Sequence, residues 1–107
     1  MRSREIEHLV KTGTKIRVSF GTVYIHIPSE TGISRVACVA GKKAHRLAVI
    51  RHAIQRRLRA AVKSLPSSSS IPSYEMVIVA SSVKVREMEF QDIIGELHHG
   101  LTSVYAK

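Results

Sequence analysis

Residues 48–65 read AVIRHAIQRRLRAAVKSL, and this stretch combines a helical spacing of apolar residues with a strong positive charge. Because successive residues of an α-helix turn by about 100°, its apolar side chains fall within one narrow arc. This arc, with one residue from just before the stretch, contains Leu47, Ile50, Ile54, Leu58, Ala61 and Leu65. We therefore predict a helix over about residues 46–65 whose apolar arc packs against a core.

The far side of this predicted helix is cationic, and no acid balances it. Arg56, Arg59 and Lys63 lie on this far side, Arg51 and Arg57 flank the apolar arc, and no Asp or Glu occurs between Glu30 and Glu75. A helix face that is merely solvated usually mixes Glu with Lys, because like charges four residues apart cost about 0.2–0.5 kcal/mol per pair. A sequence that keeps these repelling cations without nearby acids favours an anionic partner that compensates them. A purely solvated face is the alternative.

The composition of the whole chain supports the same choice of partner. Seventeen Lys and Arg face eight Asp and Glu, which gives a net charge of +9. Nucleic acid is the first candidate polyanion and an anionic membrane the second. Arginine outnumbers lysine in the basic stretch, and a planar guanidinium can bind phosphate with two parallel hydrogen bonds. A membrane-bound helix would expose large apolar residues, whereas here the fold needs that arc, so RNA or DNA is favoured.

Other features exclude several classes of protein. No run of eighteen apolar residues predicts a transmembrane helix, and the charged start MRSREIEHLVKTG lacks the apolar region of a signal peptide. We therefore expect no membrane partner and a cytoplasmic location. Cys38 is the only cysteine and lies within the apolar run VACVA, which favours a small buried hydrophobe over a redox or nucleophilic role.

Alternating apolar and polar residues predict the rest of the fold. Strands are expected at 15–20, 22–27, 35–40 and 74–80, and further helices at 3–12 and 88–105. Strand 35–40 is apolar on both faces, which predicts a central position in a sheet. Segments 28–34 and 81–87 are predicted loops, and 66–73 a flexible linker too short to separate domains. The order α-β-β-β-α-β-α predicts an α+β two-layer sandwich, with residues 1–107 forming a single RNA-binding domain.

At residues 41–59, GKKAHRLAVIRHAIQRRLR resembles the signature of the bacterial ribonuclease P protein subunit. The resemblance rests on paired lysines, an Ala-Val pair and spaced arginines, found here at Lys42, Lys43, Ala48, Val49, Arg51, Arg56 and Arg59. The family's first helix ends in a Lys-x-Gly sequence, which looks like Lys11 and Gly13 here, and Tyr24 stands where the family often has an aromatic residue. The shared element order extends the resemblance over nearly the whole chain.

The chain also departs from that signature. Gly41 replaces the family's Ser, and His52, Ala53 and Gln55 stand where the family has Asn, a second Arg and Lys. In the first predicted helix, Ile6 and Val10 occupy positions where the family favours Phe. Two cationic contacts and some aromatic stacking are therefore expected to be weaker.

The resemblance implies a ribonucleoprotein enzyme in which the RNA, with Mg²⁺ ions, performs the hydrolysis, so no catalytic or metal-binding residue is expected in the protein. Its implied partners are the catalytic RNA of ribonuclease P and precursor tRNA. The predicted RNA-binding residues are Lys42, Lys43, Arg46, Arg51, His52, Gln55, Arg56, Arg59 and Lys63. The predicted contacts to the 5′ leader of precursor tRNA are Tyr24, Ile6 and Val10.

A protein nuclease that uses its own metal ion is disfavoured by the sequence. No CxxC or HExxH motif occurs, and the neighbours His98 and His99 would point about 100° apart on a helix. Glu89, Asp92 and Glu96 share one helix face, which a solvated polar surface explains. The alternative kept open is a non-catalytic RNA-binding module, such as a ribosomal protein with the same sandwich.

Overall fold

The computed structural model describes residues 2–27, 29, 32–65 and 73–106. Its elements are α1 (Ser3–Thr12), β1 (Thr14–Val18), β2 (Gly21–His26), β3 (Arg35–Ala40), α2 (Ala48–Lys63), β4 (Glu75–Ala80), α3 (Lys84–Glu87) and α4 (Phe90–Ala106). The predicted α+β architecture and its order of elements are confirmed, with one short additional helix, α3. Residues 28, 30 and 31 of the predicted loop and residues 66–72 of the predicted linker lie outside the described residues.

The four strands form one sheet in the order β1-β2-β4-β3. The β1–β2 and β2–β4 pairs are antiparallel, whereas β3 and β4 are parallel and α2 lies in the connection between them. The prediction that segment 35–40 is a central strand is wrong, because β3 forms one edge and β4 is central beside it. An apolar pattern indicates that both faces of a strand are packed against other parts of the protein. It does not indicate whether the strand has a neighbouring strand on one side or on both.

The hydrophobic core lies between one face of the sheet and the two long helices. Val23, Ile25 and Ile78 come from the sheet, and residues of α2 and α4 cover them. The main helical contributors are Ile54, Leu58, Ala61, Ile93, Leu97 and Leu101. The predicted arc of α2 is confirmed except at Leu47, which is 50% exposed. Leu47 precedes the first helical residue and has an extended backbone, so the helical count of 100° per residue does not apply to it.

The turn between β1 and β2 lies two residues earlier than the alternation predicted. Ser19 and Phe20 form the turn, Phe20 is fully buried, and Gly21 already pairs with Ala80 of β4. The Ser19 backbone N–H and hydroxyl donate to Oε1 and Oε2 of Glu96, at 2.8 and 2.6 Å. Glu96, which was expected on a merely solvated face, therefore ties this turn to α4.

Segment 81–87, predicted as a loop, contains the single-turn helix α3, and Arg57 holds it in place. The Arg57 Nε donates to the Val85 carbonyl at 2.9 Å, and Nη2 donates to the Met88 carbonyl at 2.7 Å. The guanidinium carbon also lies 5.6 Å from the centre of the Phe90 ring. Four residues give too little periodicity for a sequence prediction, and α3 depends instead on this long-range contact and on the fully buried Val85.

Replacing Gly21 by alanine should destabilise the protein by roughly 1–3 kcal/mol, the usual cost of overpacking. A β-carbon there would lie 2.0 Å from the Val79 carbonyl oxygen, so β2 and β4 would have to separate. Gly95→Ala is the matched control, because no atom lies within 4 Å of its added carbon and an alanine inside a helix stabilises by about 0.5–1 kcal/mol. Urea unfolding measures both, and equal midpoints for Gly21→Ala and wild type would contradict the close approach.

Replacing Arg57 by alanine should lower the free energy of unfolding by about 1.5–3 kcal/mol, the range for hydrogen bonds that involve a charged group. Arg56→Ala should change it by less than about 0.5 kcal/mol, since the Arg56 side chain is exposed and makes no hydrogen bond within the described residues. Urea midpoints of the two variants provide the comparison. If the variants prove equally stable, Arg57 does not tether α3.

Candidate nucleic-acid interface

The outward side of α2 carries the predicted RNA-binding residues in a continuous row. Because Ile54, Leu58 and Ala61 are buried, the rotation of α2 about its axis is fixed. The exposed residues of the row are His52, Arg56, Arg59 and Lys63, with Gln55 half-buried beside them. We call these five residues the basic face of α2. They form no ion pair within the described part of the chain, so their charge is directed to solvent.

The loop before α2 adds further cations at one end of the basic face. Lys42, Lys43 and Arg46 are exposed, whereas Ala44 between them is buried in the core. The loop is also hydrogen-bonded internally, since the Leu47 N–H donates to Nδ1 of His45 at 3.0 Å. These contacts place the lysines at the end of β3, beside the first turn of α2.

Arg51 has a structural role that its sequence position did not predict. Its Nη1 donates to the carbonyls of His45 and Arg46, at 3.3 and 3.2 Å, and the residue is half-buried. Arg51 therefore orders the loop that presents Lys42 and Lys43. Its charge stays at the interface, but part of its hydrogen-bonding capacity is already used within the protein.

Cys38 lies on β3 and belongs to the packed edge of the core. Burial raises the pKa of its thiol to about 11, and the nearby positive charge of Arg59 opposes that rise only in part. The thiol is therefore protonated at neutral pH, and it is the thiolate that acts as a nucleophile. Cys38 is thus a partly buried apolar residue, less buried than the sequence predicted, and its protonated thiol agrees with the expectation of no nucleophilic role.

The sheet face opposite the core forms a second surface, which we call the outer face. Residues that pair directly across strands point to the same side, so Tyr24 lies between Lys15 of β1 and Val77 of β4. In the next row, Thr22 lies between Arg17 and Val79. Tyr24 is half-buried, and both flanking cations are exposed. The outer face thus combines an aromatic ring with positive charge, a combination suited to a single nucleic acid strand.

Helix α1 covers one end of the outer face and is fixed there by ion pairs. Leu9 is buried on the sheet, and Arg35 of β3 pairs with Glu5 of α1 and with Glu75 of β4. The Arg2 backbone N–H and the Arg35 side chain both donate to Glu5 and hold its pKa below the usual value. Because Arg35 contacts carboxylates on both elements, it sets the position of α1 against the sheet.

The predicted leader-binding residues of α1 flank this contact. Ile6 is half-buried and Val10 is 38% exposed, and their spacing of four puts them on the same side of the helix. They belong to the surface formed by α1 and the outer face, as Tyr24 does. The basic face of α2 is separate from it, because α2 packs on the core side of the sheet. The residues predicted to bind the catalytic RNA and those predicted to bind the leader therefore lie on different surfaces, and their contacts with RNA stay predictions.

The surface beside the basic face of α2 also includes Arg86, which no pattern in the sequence distinguished. Arg86 of α3 lines a pocket with Ala53, Arg56 and Arg57 of α2. Only the packing of α3 beside α2 brings Arg86 there, and no local pattern in residues 81–87 signals it.

Among the described residues, no group of three or more His, Cys, Asp or Glu is placed to hold a metal ion. None of the helices described is both long and apolar enough to cross a membrane.

Comparisons with known proteins agree with the fold described above. No curated protein sequence matches the chain significantly. The Staphylococcus aureus RNase P protein superposes with a TM-score of 0.72 at 22% identity, covering 97% of this chain and 92% of that one. A mutant of that protein with defective mRNA degradation activity has a TM-score of 0.73 at 21% identity, covering 97% of this chain and 85% of that one. The RNase P protein from Thermotoga maritima has a TM-score of 0.72 at 17% identity, covering 94% of this chain and 93% of that one. The model of the Ribonuclease P family matches residues 1–105, so this chain belongs to the ribonuclease P protein family.

Proposed function

We propose that this protein binds the catalytic RNA of ribonuclease P through the basic face of α2 and the loop at residues 41–47. The observation that carries the proposal is that α2 exposes Arg56, Arg59 and Lys63 with no acid paired to them, while its other side is locked in the core. An RNA backbone supplies the missing counter-charges, and the release of its condensed ions favours binding.

The proposed division of labour leaves the chemistry to the RNA. In this proposal Mg²⁺ ions held by the RNA would supply the hydrolytic chemistry, while the protein positions the substrate. The substrate is precursor tRNA, cut at the 5′ end of the mature sequence. The protein is proposed to act in the cytoplasm.

The outer face is proposed to hold the 5′ leader of precursor tRNA. A leader is single-stranded, and single strands bind to surfaces that combine stacking side chains with cations along the backbone. Tyr24 offers the ring, Lys15 and Arg17 offer the charge, and α1 with Ile6 and Val10 bounds one side. The two proposed RNAs thus bind opposite sides of the two-layer sandwich, the catalytic RNA on the basic face of α2 and the leader on the outer face of the sheet.

Reconstitution with a bacterial catalytic RNA tests the proposal. At low Mg²⁺ concentration the RNA alone should cleave precursor tRNA slowly, and adding the protein should accelerate the cut at the mature 5′ end. The protein without RNA should leave precursor tRNA intact. Cleavage that follows the RNA-free protein through purification would overturn the division of labour. Absence of any stimulation, with copurification of ribosomes, would favour the ribosomal-type module.

Replacing Tyr24 by alanine should weaken the binding of precursor tRNA to the reconstituted enzyme by about 1–3 kcal/mol, the value of one stacked base. Binding of mature tRNA, which lacks the leader, should be unchanged. Tyr105→Ala is the matched control, because Tyr105 is an exposed tyrosine on α4, which packs on the core side of the sheet and not on the outer face. Filter binding with both tRNAs gives the measurement. Equal losses for the two ligands would show that Tyr24 supports packing and does not contact the leader.

A further inference from the structure

The pocket between α2 and α3 is lined by three arginines and one alanine. Its walls are Arg56, Arg57 and Arg86, with Ala53 as the small fourth member, and its volume is about 340 Å³. No acidic side chain lines it. Three guanidinium groups that share one pocket repel each other, and this repulsion is relieved when an anion enters.

The three arginines differ in how free they are. Arg57 is held by the Val85 and Met88 carbonyls, so it forms a fixed wall whose positive charge no carboxylate cancels. Arg56 and Arg86 are exposed, and neither side chain makes a hydrogen bond or ion pair with another described residue. Their donors are therefore available to a ligand, and a guanidinium presents them in a planar fork that matches two phosphate oxygens.

The acid next to Arg86 in the sequence, Glu87, does not line this pocket. Glu87 lines a neighbouring depression together with His45, Val83 and Arg86, and it is not part of the three-arginine pocket. In the described structure the only ion pairs formed are those of Arg35 with Glu5 and Glu75. Arg86 is consequently uncompensated, although an acid is its neighbour in the sequence.

We infer that Arg86 completes a binding site for one phosphate group of the RNA backbone, made jointly by α2 and α3. The inference rests on the proposed function, since it extends the RNA interface from the basic face of α2 onto α3. Arg56 belongs to both surfaces, so a backbone that follows the row Arg59–Arg56 reaches this pocket next. An RNA phosphate is therefore the occupant that the position of the pocket selects.

The small side chain of Ala53 is what leaves the pocket open. Ala53 is exposed and lines the pocket from α2, and in the resembling signature an arginine occupies this place. In this chain Arg86 directs a guanidinium into the same space from α3. The cation that the sequence of the basic helix lacks is thus supplied by a different element.

The first test measures the salt dependence of binding to the catalytic RNA for Arg86→Ala and for Lys84→Ala. Lys84 is the matched control, because it is an exposed cation on the same short helix but lines the groove beside β1 and α4. Loss of one phosphate contact should reduce the log–log salt slope by about 0.7 to 0.9, and Arg86→Ala should show this reduction. Lys84→Ala should keep the wild-type slope. Equal slopes for the two variants would overturn the inference.

The second test returns a guanidinium to the pocket from the other side. In the Arg86→Ala background, Ala53→Arg should restore the slope and the affinity, because both positions line the same space. Failure to restore them would show that Arg86 acts outside the pocket, and would also overturn the inference. Both substituted residues are exposed, so thermal melts of the variants should match wild type and separate binding from folding.

One further comparison separates this inference from the proposed function. If wild type binds the catalytic RNA no better than an unrelated structured RNA, the proposed function fails and the phosphate site fails with it. If wild type prefers the catalytic RNA and Arg56→Ala reduces the slope while Arg86→Ala does not, the phosphate site alone is rejected.

Discussion

The burial of one arc of α2 is the constraint on which the rest of the structure depends. Ile54, Leu58 and Ala61 are fully buried, and the helix lies in the connection between two parallel neighbouring strands. Its ends are therefore fixed by the sheet and its rotation by the core. The apolar arc leaves one direction for the cations, which is outward. A single helix thus stabilises the fold with one side and determines with the other where charge accumulates.

The same logic of two faces applies to the sheet. Its inner face is closed by α2 and α4, whereas the outer face is closed only at one end, where Arg35 joins α1 to β4 through Glu5 and Glu75. Had α1 covered the whole sheet, Tyr24 and its neighbouring cations would be ordinary buried surface. Because α1 is short and fixed at one end, Tyr24, Lys15 and Arg17 of the outer face remain accessible beside it. The two candidate RNA surfaces therefore arise from one architecture, as the outsides of its two layers.

The sequence predicted those features that repeat along the chain and missed those that depend on a distant partner. The spacing of apolar residues predicted every long helix and strand and most of the core, because an element that is buried on one side has apolar residues at regular intervals. Leu47 broke the pattern since it lies just outside the helix, and β3 could not be recognised as an edge strand from its own residues. The short helix α3 and the tether from Arg57 depend on contacts about thirty residues apart. The hydrogen bonds of Arg51 were missed for a different reason: the carbonyls of His45 and Arg46 are only six and five residues away, but the loop that presents them has no periodic pattern.

The arginines of α2 show why net charge alone does not define an interface. Arg51 and Arg57 donate to backbone carbonyls and order the loop before α2 and the helix α3, whereas Arg56 and Arg59 keep their donors free. Carbonyl oxygens satisfy hydrogen bonds but do not neutralise a full positive charge, so the structural arginines still contribute to the field that attracts a polyanion. Each structural arginine also places other cations, since Arg51 presents Lys42 and Lys43 and Arg57 presents Arg86. The candidate interface is therefore built in two steps, with hydrogen bonds to backbone carbonyls arranging the groups that remain exposed.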